Sequence, residues 1–342
     1  WLFLVNVPIA VVAIVAAVRL LHPDAGRADA GKLDWLGVAL LCPGMAGIVF
    51  GLSETESHGG IGEPIAFAPI LAGFVLVGLF ALHSLHVARP LLELRLFRSP
   101  GFRAAAATTF VLAGALFGTL LVLPLYYQVA RGQSALDAGL LLAPQGIGAA
   151  LMLPISGRLT DRVGGGPVVV AGVTVVALAT LPFAFVSDHT PYALLGGVLF
   201  VRGLGLGASI QPTTAAAYAL LDSSQVPRAT AALNTLRQIG ASIATALLAV
   251  VLQHESRAAL SSASRSAGGL LARLPASERE QISGPVATAF GHAFMWAVAL
   301  ALLAILPAVA LVRAERAERR PSTLGRAETR AADLQLPRDQ AA

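Results

Sequence analysis

Two arginines of this chain lie inside long apolar stretches, where a charge is expensive to place. Arg202 is near the middle of the apolar run 192–220, and Arg237 belongs to the run 230–252. A cation at such a position normally faces a cavity or a partner. Arg202 is therefore a candidate ligand for an anionic substrate, a partner for a buried carboxylate, or a side chain that extends toward the edge of the apolar layer.

Arg237 shares one face of its predicted helix with two amides. Asn234, Arg237 and Gln238 are spaced i, i+3 and i+4, so their side chains project from the same side of a helix. Such a face serves either to hydrogen-bond a neighbouring helix or to line a cavity. We treat these residues as a polar cluster of interest.

Further polar side chains occur at depth or at the ends of apolar runs. Gln145 and Gln211 lie inside two of them, where an amide otherwise lacks partners. Tyr126 and Gln128 end another run, beside Tyr127. All four, together with Arg202, are candidates for a substrate cavity. The tyrosines have an alternative role as anchors at a membrane interface.

Other kinds of chemistry find little support in the sequence. The seven histidines are scattered, no metal-ligand spacing occurs, and Cys42 is the single cysteine. We therefore expect no enzyme activity, no metal and no cofactor. The net charge of +5 comes from basic residues between apolar runs and in the tail, which indicates orientation in a membrane rather than nucleic-acid binding.

The elements that carry these residues are nine apolar runs, none with an internal aspartate or glutamate. With 56% hydrophobic and 13% charged residues, the chain is far more apolar than soluble domains. Because a lipid-embedded backbone must satisfy its own hydrogen bonds, we predict nine transmembrane helices and an all-α fold. The predicted spans are 1–21, 35–53, 64–88, 102–129, 138–157, 167–187, 192–220, 230–252 and 292–312.

The distribution of basic residues predicts the orientation. If the breaks alternate between the two faces, one face receives most of the arginines, including Arg95, Arg158 and Arg228, and the basic tail. The positive-inside tendency makes that face cytoplasmic. We expect an integral protein of the cell membrane whose C-terminus is cytoplasmic.

One break, GRLTDRVGG, combines tight-turn glycines with charges. Gly157 and Gly164 suit a short helix-to-helix connection. Asp161 precedes the helix predicted from about residue 167, whose amides favour a negative charge, and Arg162 can pair with it or hold the loop at the surface. These four residues form either a conformational latch or a simple turn that fixes topology.

The order of several motifs resembles a known family. WLFLVNVPIA, GRLTDRVGG, RGLGLGASIQPTTAAA and ATAALNTLRQIGASIATALL are similar to segments of the fourteen-helix drug:proton antiporters of the major facilitator superfamily. The resemblance implies that five helices precede residue 1. It divides the chain into the last helix of an N-terminal bundle (1–21), a linker with an inserted two-helix hairpin (22–88), a C-terminal six-helix bundle (89–312) and a disordered basic tail (313–342).

The resemblance also implies a function. It predicts export of amphipathic drugs by proton antiport with alternating access, with small molecules, protons, the lipid bilayer and the missing N-terminal helices as partners. The chain alone is expected to be inactive. Because no buried acid lies inside the nine spans, the coupling carboxylate is expected upstream, with Asp34 as a weaker local candidate. Alternatives are a dedicated exporter of one metabolite and a membrane scaffold without transport activity.

Overall fold

Helices make up the regular structure of the part of the chain that the structure describes. The computed structural model describes residues 6–20, 34–57, 64–87, 90, 93–187, 189–219, 221–222, 225–261 and 276–317. The helices in these ranges are α1 Asn6–Leu20, α2 Trp35–Ser57, α3 Pro64–His86, α4 Pro100–Leu125, α5 Ala135–Val163, α6 Gly165–Thr180, α7 Tyr192–Ala219, α8 Val226–Ser261 and α9 Ala276–Leu303. The prediction of an all-α fold is confirmed.

Most of these helices can cross a membrane. Among the described residues, seven are long and apolar enough: Pro64–His86, Pro100–Ala130, Ala135–Val163, Gly165–Phe185, Tyr192–Ala219, Val226–Glu255 and Ala287–Ala317. Two shorter apolar helices, Ala10–Leu20 and Trp35–Gly51, lie within the first two predicted spans. The first five residues of the span predicted at 1–21 lie outside the described residues.

Several helices run beyond the predicted spans, because polar helix formers extend a helix past the apolar layer at no cost in hydrogen bonds. The break expected between residues 253 and 291 is helical over much of its length, since α8 ends at Ser261 and α9 begins at Ala276. After a turn at Ala304, helix resumes over residues 305–317. The predicted tail therefore begins in a helix, and its residues 318–342 lie outside the described part.

The backbone divides into two compact units, Trp1–Trp35 and Leu36–Ala342. The first contains α1. In the second, α5 packs on α7, α4 on α8, and α6 on α7 and α9. Its buried apolar residues form two clusters, one containing Phe102 and Val173, the other Tyr126 and Phe294. The four-part division at residues 21, 88 and 312 remains a prediction.

Serines fix the starts of the two helices that lead into the site. Oγ of Ser99 accepts from the backbone N–H of Phe102, with Pro100 at the first position of α4. Oγ of Ser134 accepts from the N–H of Asp137 at 3.1 Å and donates to its carboxylate at 2.6 Å. These caps satisfy amides that a helix N-terminus leaves free.

Glycines let α5 and α7 approach each other until their backbones touch. A Cβ placed on Gly203 of α7 would overlap the carbonyl oxygen of Gln145, and one on Gly148 of α5 would overlap that of Phe200. In lipid, the hydrophobic effect does not drive helices together, so close packing at small residues stabilises their association. It places Gln145 directly opposite the turn of α7 that carries Arg202.

Glycines also let the two helices of the α2–α3 hairpin approach each other closely. A Cβ on Gly73 would lie 2.7 Å from Cγ1 of Ile48, and one on Gly47 would lie 2.9 Å from the carbonyl oxygen of Pro69. A Cβ on Gly51 would lie 2.6 Å from the carbonyl oxygen of Ala66, so Gly47 and Gly51, four residues apart, both serve the packing of α2 on α3.

The α5–α7 contact provides a matched stability test. We expect Gly203→Ala to lower the free energy of unfolding by about 1–3 kcal/mol, since its methyl group must displace the α5 backbone. Gly197→Ala is the control, because it lies in the same helix with nothing within 4 Å of the added Cβ. Thermal unfolding of the purified full-length protein measures both, and equal effects would contradict the close approach.

Candidate functional site

A single guanidinium connects four helices of the bundle. Arg202 of α7 is 1% exposed. Its Nε donates to Oγ1 of Thr180 in α6 at 3.2 Å, and its Nη1 donates to Oε1 of Gln145 in α5 at 2.5 Å. Its Nη2 donates to the carbonyl oxygen of Ala115 in α4 at 3.4 Å. The side chain therefore fixes the spacing of α4 to α7 from inside.

All acceptors in this network are neutral, and that determines how the charge is stabilised. Within the described residues, Arg202 has no carboxylate partner, so amide, hydroxyl and carbonyl dipoles compensate for its lost hydration. A buried charge deprived of such an acceptor is costly. The structure thus brings together two of the predicted cavity residues, Arg202 and Gln145, as partners of each other. Their predicted contact with a substrate remains a prediction.

A separate cavity opens where α4, α7 and α8 meet. Its volume is about 260 Å³ and its lining combines apolar side chains with hydroxyls and one cation. The polar lining residues are Thr109, Thr213, Thr214, Arg237 and Gln238. Arg202 does not line it, although its helix does. This cavity has the mixed character typical of small-molecule sites.

The predicted polar cluster of α8 lies on an exposed face. Asn234, Arg237 and Gln238 are all exposed, and Nη2 of Arg237 donates to Oδ1 of Asn234 at 2.5 Å. Arg237 and Gln238 belong to the cavity wall, whereas Asn234 orients the guanidinium from one turn away. Gln211 is exposed on α7 without lining this cavity, and Asp34 is half-buried immediately before α2.

The tyrosines at the end of α4 belong to a packed aromatic group. A π-helical turn over Tyr126–Ala130 directs both Tyr126 and Tyr127 inward, where each is 0% exposed. The hydroxyl of Tyr126 donates to the carbonyl oxygen of Ser187 at 2.7 Å. Gln128, by contrast, is exposed and donates to the carbonyl oxygen of Pro124 in its own helix.

Arg131 closes this aromatic end of the bundle. Its Nη1 donates to the carbonyl oxygen of Thr190 at 2.8 Å, and its guanidinium lies 4.2 Å from the ring centre of Tyr192. Burial of the guanidinium lowers the pKa of Arg131, but the hydrogen bond with Tyr126 and the adjacent Tyr126 and Tyr192 rings outweigh this and raise the pKa above its ordinary value. The residue stays charged and joins the ends of α4 and α7.

The predicted loop motif is mostly helix. α5 continues through Asp161 and Arg162 to Val163, and only Gly164, with φ 96°, separates it from α6. Such a φ value favours glycine. Asp161 and Arg162 are exposed, and nothing lies within 4 Å of a Cβ built on Gly157. The motif therefore presents its charges outward, and its role as a latch remains a prediction.

The carboxylate at the N-terminus of α6 is Glu315, which sequence reasoning did not single out. Oε2 of this residue accepts from the N–H of Gly166 at 3.0 Å, and the residue is 7% exposed. Asp161 does not reach these amides because it lies within the last turns of α5. A Cβ on Gly166 would lie 2.9 Å from Cα of Val312, so a larger residue does not fit there.

A second acid, Glu255, escaped the sequence prediction for the same reason as Glu315, because the spans were drawn too short. Oε2 of Glu255 in α8 lies 2.7 Å from Nδ1 of His292 in α9. Glu255 lies three residues past the predicted end of its span, and Glu315 lies three residues past the end of the last one. Helical periodicity continued past the apolar residues is the signal that could have found both.

Together, these features define a class of protein: a helical membrane protein with a partly polar cavity on the open side of its bundle. The chain belongs to the Major Facilitator Superfamily, whose family model matches residues 1–245. Members of this family are transporters rather than enzymes.

Named relatives agree with this assignment. The chain is 32% identical over 344 residues to a "Multidrug resistance protein B homolog" of Mycobacterium tuberculosis, covering 95% of this chain and 63% of that protein. It is 30% identical to the "Drug efflux pump JefA" of the same species, over 84% of this chain and 53% of the pump. It is 27% identical to the "Lincomycin resistance protein LmrB" of Listeria innocua, over 77% of this chain and 55% of that protein. The chain thus spans between half and two thirds of the length of these relatives.

The Glu315 contact is tested by two substitutions at one position. Glu315→Ala leaves the N–H of Gly166 buried without its acceptor, and we expect a loss of about 1–3 kcal/mol in the free energy of unfolding. Glu315→Gln keeps an acceptor oxygen, so we expect it to lower the free energy of unfolding by less than Glu315→Ala does. Arg316→Ala, at the exposed neighbour, is the control and changes stability by less than about 0.5 kcal/mol. Thermal unfolding that failed to separate Glu315→Ala from this control would rule out the cap.

Proposed function

We propose that this chain is the C-terminal part of a proton-driven exporter of amphipathic organic compounds. The observation that carries the proposal is the cavity between α4, α7 and α8, with Arg237 and Gln238 in its wall, in a chain of this transporter family. Relatives named for multidrug resistance and lincomycin resistance support amphipathic drugs as the substrate class.

The cavity suits such molecules in size and chemistry. Its lining includes Leu112, Leu116 and Phe117, which pack against apolar groups, beside hydroxyls and an amide that hydrogen-bond a head group. A few polar groups on an apolar wall tolerate substrates of varied shape. At about 260 Å³ the cavity holds part of a drug-sized molecule, and the remaining wall is supplied by the rest of the transporter.

Alternating access is the mechanism we propose. The Arg202 network keeps α4 to α7 at fixed spacing, which supports movement of this bundle as one body against the upstream bundle. The C-terminus is then cytoplasmic and the protein lies in the cell membrane, as the arginine distribution predicts.

Proton coupling requires a carboxylate outside this cavity. The residues that line it include one cation and no acid. A group that binds and releases protons within reach of both faces is commonly a buried acid. The buried acid Glu315 holds the N–H of Gly166, so we assign the coupling carboxylate to the upstream helices rather than to Asp34.

Transport by everted membrane vesicles containing the full-length protein tests the function. With a proton gradient acidic inside, we expect accumulation of a fluorescent amphipathic dye, which a protonophore abolishes. Arg237→Gln should raise the KM about tenfold, equivalent to the loss of roughly 1.4 kcal/mol of binding, whereas Arg316→Gln should not change it. Accumulation that survives the protonophore would contradict antiport, and a panel of unrelated drugs, none of them transported, would favour a dedicated exporter.

The coupling assignment has its own test. Asp34→Asn in the full-length protein should leave proton-driven accumulation intact, because the acid that carries the proton lies elsewhere. Loss of accumulation with unchanged dye binding, measured by fluorescence polarisation, would move that role to Asp34.

A further inference from the structure

Two arginines line a groove between the start of α4 and the helix that follows α9. Helix resumes after Ala304 over residues 305–317, and we call this segment the last helix. Together with the first turns of α4 it encloses a groove of about 480 Å³, which we call the arginine groove. Its lining includes Arg103, Ala104 and Ala107 of α4 and Ala310, Arg313 and Ala314 of the last helix.

Both arginines lie at the same edge of the apolar layer. The ring of Tyr126, just after α4, packs edge to face on that of Phe290 in α9, so the two helices run in opposite directions. The start of α4 is therefore beside the end of the last helix. Arg103 is the second residue of its predicted apolar run, and Arg313 directly follows the last such run. Both guanidiniums thus belong at the depth of the lipid head groups.

The charges of these two arginines are not compensated within the described part of the chain. Arg103 and Arg313 are exposed, and neither guanidinium makes a hydrogen bond or an ion pair there. Arg228, by contrast, forms an ion pair with Glu93 at 2.9 Å. Glu315 follows Arg313 by two residues, but its carboxylate is already bound at the N-terminus of α6. The arginine groove therefore combines two unpaired cations at one end with a floor of alanines.

The arginine groove opens away from the polar cavity. Arg103 and Ala107 line the groove, whereas Leu112 and Leu116 of the same helix line the cavity. Each leucine follows its counterpart by nine residues, and at 3.6 residues per turn this spacing places the two pairs on opposite faces of α4. The upstream helices, which we propose complete the cavity, then lie on the other side of α4. The groove stays open to the bilayer, and this one step rests on the proposed function.

An anion that carries a hydrocarbon chain complements such a lining. The guanidinium fork of arginine matches the oxygens of a phosphate, and basic pockets between membrane helices bind anionic head groups. The groove offers no acid to the ammonium of a zwitterionic lipid. We propose that the arginine groove binds one anionic phospholipid, with its phosphate on Arg103 and Arg313 and an acyl chain along Ala107 and Ala310. The lipid then joins α4 to the last helix at the membrane edge.

Native mass spectrometry of the full-length protein in non-ionic detergent tests the site. Phosphatidylglycerol is titrated against phosphatidylcholine with the same acyl chains, and we expect one saturable site whose Kd for phosphatidylglycerol is at least tenfold lower. Arg103→Gln and Arg313→Gln should each raise that Kd about tenfold, as loss of a hydrogen bond between charged groups predicts. Arg316→Gln removes an exposed cation outside the groove lining and should change the Kd less than about twofold.

The floor of the groove is tested separately from its charges. Ala310→Trp fills the path of the acyl chain and should weaken phosphatidylglycerol binding at least fivefold, whereas Leu178→Trp, at an exposed position of α6, should not. If Ala310→Trp fails to fold, the arginine variants still decide the question, because they replace exposed side chains.

Three outcomes would overturn the proposal. Equal weakening by all three arginine variants would show unspecific attraction to a basic surface. Displacement of the lipid by millimolar inorganic phosphate would make the groove a site for free anions. Lipid binding that appears only after removal of residues 318–342 would assign the groove to that segment, whose sequence contains acids.

Dye transport measured on the same preparations separates this proposal from the proposed function. Normal transport by a protein that does not distinguish the two lipids would refute the lipid site and leave the export function intact. Selective phosphatidylglycerol binding without any transport would support the lipid site and refute the export function.

Discussion

A buried arginine that has no carboxylate partner in the described part of the chain constrains the packing of this bundle. Arg202 is enclosed by α4, α5 and α6, and its guanidinium is held by three neutral oxygens rather than by an opposite charge. Such an arrangement is stable only while all three acceptors stay in place, because a buried cation cannot recover its hydration. The network therefore penalises any change in spacing among the four helices.

The surrounding packing is consistent with that constraint. Gly203 follows Arg202 directly and lets α7 reach the backbone of α5, which is what puts Gln145 within hydrogen-bonding distance. At one end Arg131 ties the ends of α4 and α7 together, and at the other Glu315 ties the last helix to the start of α6. The polar cavity lies on the remaining side, where Arg237 and Gln238 are exposed. This arrangement supports the proposed alternating access, in which one bundle moves as a unit against another.

The sequence predicted the fold well because its signal is simple. Long apolar runs with charged breaks require helices in lipid, and the order of the motifs indicated the superfamily. Helix ends were less predictable, because α5 and α8 continue as polar helix beyond their apolar residues.

Contacts between helices could not be predicted from spacing alone. Periodicity places Arg202 and Gln145 within their helices, but that they face each other depends on the close approach at Gly203. Glu315 was missed since it reaches Gly166 from 149 residues away in the sequence.

A double-mutant cycle between Arg202 and Gln145 tests the central claim most directly. Arg202→Met, Gln145→Met and the double variant are compared by the free energy of unfolding of the full-length protein. Because removal of Gln145 leaves Nη1 of the buried Arg202 without its acceptor, we expect a coupling energy of at least about 1 kcal/mol, with the double variant more stable than the sum of the single losses. Losses that add to within about 0.3–0.5 kcal/mol would show that the arginine does not hold these helices together.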